Sequence, residues 1–144
     1  MYEFVDQCVQ DAMTRDPITV SPSTRLGEVE GLFEAHAVNA FPVTDPARTL
    51  VGVVTKLDLL KAFSFTPGDI APQYSAVMSR PVSDVSQDVS SVGLRTPLTR
   101  VLKELVRLGA KSLPVVVRGE VVGIISREDV LQALRGALSR AAHH

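Results

Sequence analysis

The chain has 144 residues, of which 45% are hydrophobic, and its formal net charge is −1. That length suits one compact domain with a real core, and that hydrophobic share excludes a disordered chain. Near-neutral charge argues against broad capture of nucleic acid or of an anionic membrane, since both need a basic surplus, although a local basic patch stays open. At the N-terminus, acids are spread through residues 1–20 and no apolar core of a secretory signal is present. Apolar runs everywhere fall far short of the ~20 residues of a membrane span, so no membrane insertion and a cytoplasmic setting are expected. Cys8 is the sole cysteine. It excludes an internal disulfide, cannot make a zinc site alone, and reads as an inert, packed thiol.

Ile18-Thr19-Val20 is short and β-prone. Thr24 can cap a helix whose apolar residues Leu26, Val29, Leu32 and Phe33 form one stripe. Phe41-Pro42-Val43 begins a strand, Asp45 to Arg48 is turn-like, and Leu50 to Val54 is a second strand. A helix starts at Thr55 and carries Leu57, Leu59, Leu60 and Phe63. Thr66 to Pro72 is a breaker cluster. Thr96-Pro97 supplies a cap and then proline at the first helical position. Leu98, Val101, Leu102, Leu105 and Leu108 form the next stripe, and Gly109 stops it. Pro114 to Val117 and Glu120 to Ile125 flank Arg118-Gly119 as a hairpin, and the last helix carries Val130, Leu131, Leu134 and Leu138.

These elements form an internal repeat. Met13-Thr14-Arg15-Asp16-Pro17 returns as Met78-Ser79-Arg80-Pro81, and Thr24-Arg25-Leu26 returns as Thr96-Pro97-Leu98. Phe41-Pro42-Val43 returns as Leu113-Pro114-Val115, and Gly52 to Asp58 returns as Gly123 to Asp129. Four matches in one order indicate a duplication. The spacing between the first two landmarks differs by eight residues, which predicts an insertion near 84–95 in the second copy, serving either as a lid or as a surface loop. The expected layout is a first motif over 1–65, a linker over 66–75, a second motif over 76–140, and a tag or disordered tail over 141–144. Each copy reads β-α-β-β-α, so the fold class is α/β (α+β). About 60 residues bury too little surface for comfortable stability alone. The strands Val51–Val54 and Val121–Ile125 are apolar on both faces. The two pseudo-symmetric halves are therefore expected to pack sheet to sheet.

The ordered set of motifs, present twice from about Val9 to Leu134, resembles a tandem pair of CBS domains, a Bateman module. The resemblance rests on Met13-Thr14 with Pro17, Phe41-Pro42-Val43 with Asp45, and Leu50 to Thr55 with Asp58-Leu59-Leu60. In the second copy it rests on Met78 to Pro81, Leu113-Pro114-Val115, and Val121 to Ser126 with Asp129. It implies two clefts between the halves that bind adenosine-containing ligands such as AMP, ADP, ATP or S-adenosylmethionine. It assigns phosphate contact to the hydroxyls of Thr55 and Ser126 and the ribose hydroxyls to Asp58 and Asp129. By the same resemblance, Ile18, Thr19, Phe41 and Pro42 form one adenine slot, and Val82, Ser83, Leu113 and Pro114 form the other. It also implies a homodimer, a regulatory rather than catalytic role, and an effector protein in another chain.

The residue types make physical sense of this. Thr55 and Ser126 sit where a strand becomes a helix, and N–H groups at a helix start attract anions. A carboxylate one turn on can accept from two ribose hydroxyls. Gly52 and Gly123 carry no Cβ, which would let a ligand approach the backbone. Lys111 and Arg127, with Lys56, are within reach of a phosphate. Ser/Thr-x-x-Asp is equally a helix capping box that needs no ligand, and Phe41 and Leu113 are equally ordinary core. Only Lys111 is basic just before the Leu-Pro-Val strand, where Asn39-Ala40 stand in the first copy, so the first cleft is the weaker phosphate site. No catalytic or metal site is expected. A Gly-x-Ser-x-Gly elbow and phosphate-binding glycine loops are absent, and His36 stands alone on an amphipathic helix. The alternative is an assembly module whose sites are vestigial.

Overall fold

The computed structural model describes residues 2–64, 74–88 and 90–142. In chain order the elements are helices α1 (Tyr2–Val5) and α2 (Val9–Ala12), strand β1 (Thr14–Arg15), helix α3 (Leu26–Ala35), strands β2 (Ala40–Thr44) and β3 (Leu50–Thr55), and helices α4 (Lys56–Ala62) and α5 (Tyr74–Met78). A 3-10 turn (Val82–Asp84), helix α6 (Leu98–Leu108), strands β4 (Ser112–Val117) and β5 (Glu120–Ser126), and helix α7 (Arg127–Ala142) follow. The mixed α/β class is as expected. The breaker cluster Thr66–Pro72 lies outside the described residues, and α5 begins at Tyr74, within the stretch read as linker. Helix α7 runs through Ala142, past the expected boundary at residue 140, while His143 and His144 lie outside the described residues.

The chain forms two compact units, one of Ile18–Val89 and the other of Met1–Pro17 with Ser90–His144. In the first, β2 and β3 pair antiparallel with Ala40 opposite Thr55 and Val43 opposite Gly52. The hairpin turn is closed by Asp45, whose carboxylate accepts from the N–H groups of Ala47 and Thr49. Val20 joins β2 in parallel, its N–H donating to Pro42 O at 3.0 Å while its carbonyl accepts from Thr44 at 2.8 Å. Gln87 joins β3 antiparallel through two bonds to Val53 of 2.9 and 3.0 Å. Beneath the sheet, Leu26, Val29, Phe33, Phe41, Val43, Val54, Leu59, Val77 and Val82 form the core. The rings of Phe33 and Phe41 lie 4.5 Å apart.

In the other unit the strand order is β1-β5-β4, with Ser112 opposite Ser126 and Val115 opposite Gly123. Val92 joins β4 in parallel through Pro114 O and the Val116 N–H, as Val20 joins β2. Phe4, Val9, Leu98, Val101, Leu105, Leu113, Ile125 and Val130 are buried here. Gly109 ends α6 in the left-handed region, φ 61°, as its sequence position suggested.

Three expectations are corrected. The strand at Ile18–Val20 reduces to a single bridged residue, Val20; Pro17 has no N–H to donate and Pro22 ends the run. Thr24 and Thr96 do not cap their helices. Each hydroxyl instead accepts at 3.0 Å from the N–H three residues back, of Ser21 and Gly93 respectively. Backbone carbonyls from elsewhere in the same unit meet the first helical N–H groups: Arg80 O takes Leu26 N–H at 2.9 Å, and Gln7 O takes Leu98 N–H at 3.1 Å.

The third correction concerns the repeat register. Pro81 bridges Arg25 as Cys8 bridges Pro97, and Gln87 pairs with Val53 as Thr14 pairs with Ile124. Leader Cys8–Thr14 therefore matches Pro81–Gln87, and Val20 matches Val92. Residues 8–20 and 81–92 then differ in length by one, and the insertion expected near 84–95 is absent. The match of Met13 and Pro17 to Met78 and Pro81 had slid the second leader out of register. The strand glycines admit these leaders. A Cβ on Gly123 would lie 2.8 Å from Thr14 O, and one on Gly52 would lie 3.2 Å from Gln87 O. Their lack of a side chain serves leader packing.

Candidate functional site

In each unit the residues singled out from sequence gather at one end of the sheet. That end is where β2 or β4 begins, β3 or β5 gives way to a helix, and the parallel lead-in arrives. In the first copy, Thr55 is the N-cap of α4 and Asp58 sits at its third position. Asp58 is only 4% exposed. Its Oδ2 accepts from the Thr55 N–H at 2.8 Å and the Thr55 hydroxyl at 2.9 Å, and its N–H donates to Thr55 Oγ1 at 3.2 Å. Its Oδ1 accepts from Gln87 Nε2 at 3.0 Å. A buried carboxylate must be hydrogen-bonded, and here both oxygens are. The capping-box alternative describes this copy. Lys56 points elsewhere, with Nζ 5.8 Å from the centre of the Phe33 ring.

Around it, Ile18 is exposed and Thr19 half-buried just before Val20. Phe41 is core, 1% exposed, and Pro42 is buried with its carbonyl given to Val20.

The second copy is built alike and finished differently. Ser126 and Asp129 are half-buried at the start of α7, a helix of 16 residues. The Ser126 N–H donates to Asp129 Oδ2 at 2.9 Å, and the Asp129 N–H donates to Ser126 Oγ at 3.2 Å. Among the described residues, Asp129 Oδ1 accepts no hydrogen bond and the Ser126 hydroxyl proton has no acceptor. Lys111 is exposed one residue before β4, and its carbonyl accepts from Arg127 N–H at 3.0 Å, which holds it beside the start of α7. Leu113 and Pro114 are buried, with the Pro114 carbonyl bonded to Val92. Leu113, like Phe41, takes the core alternative.

One assignment is corrected. Arg127 does not face the helix start: its Nε and NH2 donate to Ala110 O at 2.8 Å and Gly109 O at 3.1 Å, the C-cap of α6 and the residue after it. A guanidinium suits those carbonyls because the C-terminal end of a helix is the negative end of its dipole. Val82 and Ser83 belong to the Ile18–Val89 unit, Val82 fully buried and Ser83 exposed. By the pairing register, Ser90 and Ser91 are the counterparts of Ile18 and Thr19, and both are exposed. Sequence reasoning missed these serines and Gln87. The shared Val-x-Asp of Val9–Asp11 and Val82–Asp84 was the signal that could have set the register.

Among the described residues, no group of three or more His, Cys, Asp or Glu could hold a metal, and no helix is long and apolar enough to cross a membrane. Cys8 is free and half-buried, its thiol 3.4 Å from Asp11 Oδ2.

The family model for the CBS domain matches twice, at residues 9–64 and 75–136. The chain belongs to the CBS domain family. This CBS pair is similar to the A-adding tRNA nucleotidyltransferase of Aquifex aeolicus, 25% identical over 96% of the chain, and to the L-aspartate semialdehyde sulfurtransferase of Methanocaldococcus jannaschii, 26% identical over 89%. It spans only 16% and 23% of those two relatives' lengths. Among solved structures, it resembles CBSX2 in complex with AMP, with 28% identity, TM-score 0.77, and 90% of this chain and 97% of that one covered. It also resembles the CBS-domain protein ATU1752 of Agrobacterium tumefaciens, with 29% identity, TM-score 0.74, and 88% and 98% covered.

Proposed function

We propose that this CBS pair is a regulatory module, not an enzyme, that binds an adenosine-containing ligand through its second copy. The observation that carries the reading is the unfinished capping box at α7. Among the described residues, Asp129 Oδ1 and the Ser126 hydroxyl are free to accept and donate, beside the positive end of a 16-residue helix and the exposed Lys111. A ribose hydroxyl would donate to Asp129, a phosphate would take the Ser126 hydroxyl and the Lys111 ammonium, and Ser90 and Ser91 would supply polar contacts at the rim. With Arg127 committed to α6, a single lysine faces the phosphates, which favours a monophosphate over a triphosphate. The AMP complex of CBSX2 supports the same chemistry. The setting proposed is cytoplasmic, in keeping with a free cysteine. The output would be read by another chain, and the ligand can shift that output only by its difference in affinity for two conformations.

The test is a thermal-shift and calorimetric screen with AMP, ADP, ATP, S-adenosylmethionine and GMP. A ligand at 100 times its dissociation constant adds about 2.7 kcal/mol of stability. Stabilisation by adenosine ligands that Asp129→Asn removes is expected. No stabilisation by any of them would overturn the reading and favour an assembly module. One observation favours assembly alongside sensing. A groove of about 260 Å³ between α6 and α7 is lined by Leu102, Leu105, Val106, Val130, Leu131 and Leu134, with Val106 75% exposed. Apolar surface of this kind marks contact sites, and the partner proposed is a second copy of this chain. Light scattering of the purified protein checks that dimer.

A further inference from the structure

We propose that the first copy's site is closed by the chain itself. The Gln87 amide holds the place on Asp58 that a ribose hydroxyl would take, so each chain binds one adenosine-type ligand rather than two. The inference rests on the function proposed above and adds its stoichiometry.

The geometry is specific. Gln87 Nε2 donates to Asp58 Oδ1 at 3.0 Å, and Thr55 takes Oδ2 twice. An amide N–H and a sugar O–H offer a carboxylate the same kind of bond. The amide is delivered by a backbone that cannot drift, because Gln87 exchanges both its N–H and its carbonyl with Val53 and lies against the bare face of Gly52. A ligand would have to break a charge-assisted bond to a buried carboxylate and leave the amide in its way. The second copy shows what the site looks like without this occupant. The residue in Gln87's position is Thr14; both are exposed, but among the described residues Thr14 makes no bond to Asp129. Its shorter side chain leaves Asp129 Oδ1 open, and Asp129 is half-buried where Asp58 is buried.

Calorimetric titration with AMP tests this on the whole chain. Wild type is expected to bind 1 AMP per chain, Asp129→Asn none, and Asp58→Asn 1, because the closed first copy offers the ligand no contact to lose. Gln87→Thr, which copies Thr14, is expected to bind 2, and retention of the Asp129 event within that variant shows that it is folded. Two AMP per wild-type chain, or one per Gln87→Thr chain, overturns the closure while leaving the sensor reading intact. No heat in either protein with AMP or with any other adenosine ligand of the screen overturns both.

Discussion

Adding one methyl group at Gly123 isolates what the leader strand contributes. The Cβ of Gly123→Ala would stand 2.8 Å from Thr14 O and 2.9 Å from Met13 Sδ. The methionine can swing aside. The carbonyl cannot, because Thr14 and Arg15 are paired with Ile124 and Gly123, so β1 must shift or the strands must part. Overpacking of this kind costs about 1–3 kcal/mol, and the smaller unfolded-state entropy of alanine returns about 0.4–1. A net loss of roughly 1–2 kcal/mol lowers the melting temperature by about 2–8 °C in a chain of this size. Gly31 is the control. It lies in α3 with nothing within 4 Å of its would-be Cβ, so Gly31→Ala should raise stability by about 1 kcal/mol through helix propensity alone. Gly52→Ala, facing Gln87 O at 3.2 Å, should fall between wild type and Gly123→Ala. Melting curves followed by circular dichroism rank the four proteins. Gly123→Ala at or above the wild-type midpoint would refute the argument that the glycine exists to admit β1.

Arg127→Ala removes the bonds to the Gly109 and Ala110 carbonyls and should cost about 1 kcal/mol of stability in urea titrations while leaving AMP affinity within about twofold; Lys111→Ala should do the reverse, lowering affinity without moving the urea midpoint. Phe41→Ala empties a fully buried site packed against the tilted ring of Phe33 and should cost about 3–5 kcal/mol, measured by the same titration. The Tyr74 hydroxyl donates to Glu30 at 2.5 Å, and that bond to the carboxylate holds the Tyr74 pKa above its ordinary value. The stabilisation is fully present below the free-tyrosine pKa of about 10 and is lost as pH rises through the folded value. In Tyr2→Phe protein, which leaves Tyr74 as the sole tyrosine, the phenolate absorbance should rise at higher pH than in the Glu30→Ala variant of the same background.

What was legible in the sequence was what local chemistry decides. The stripes Leu26, Val29, Phe33 and Leu98, Val101, Leu105 are buried as their helical spacing required. The hairpins fell where Asp45 and Arg118-Gly119 marked turns, and Gly109 closed its helix. The misses all depend on partners far along the chain. Leaders of a few residues carry no periodicity, so a chance Met and Pro outweighed the weaker Val-x-Asp pairing. Thr24 and Thr96 read as caps because nothing local reveals the carbonyls of Arg80 and Gln7. Arg127 read as a phosphate ligand because the acceptors at Gly109 and Ala110 come from another helix. The difference between Asp58 and Asp129 turns on Gln87, 29 residues from Asp58 and invisible in the Ser/Thr-x-x-Asp motif the two copies share.

The division of the chain into Ile18–Val89 and a unit assembled from both ends has a consequence for synthesis. The first seventeen residues leave the ribosome before any of their partners exist. Phe4 and Val9, buried in the finished protein, stay wetted until β5 and α7 have been made. The unit that is continuous in sequence can complete itself meanwhile, and the entropy of closing so long a loop grows only slowly with its length. A message truncated at the repeat boundary yields a worse product than half a protein. It leaves a β3 edge without Gln87 and an apolar leader without a sheet, and bare edges of that kind are templates for aggregation.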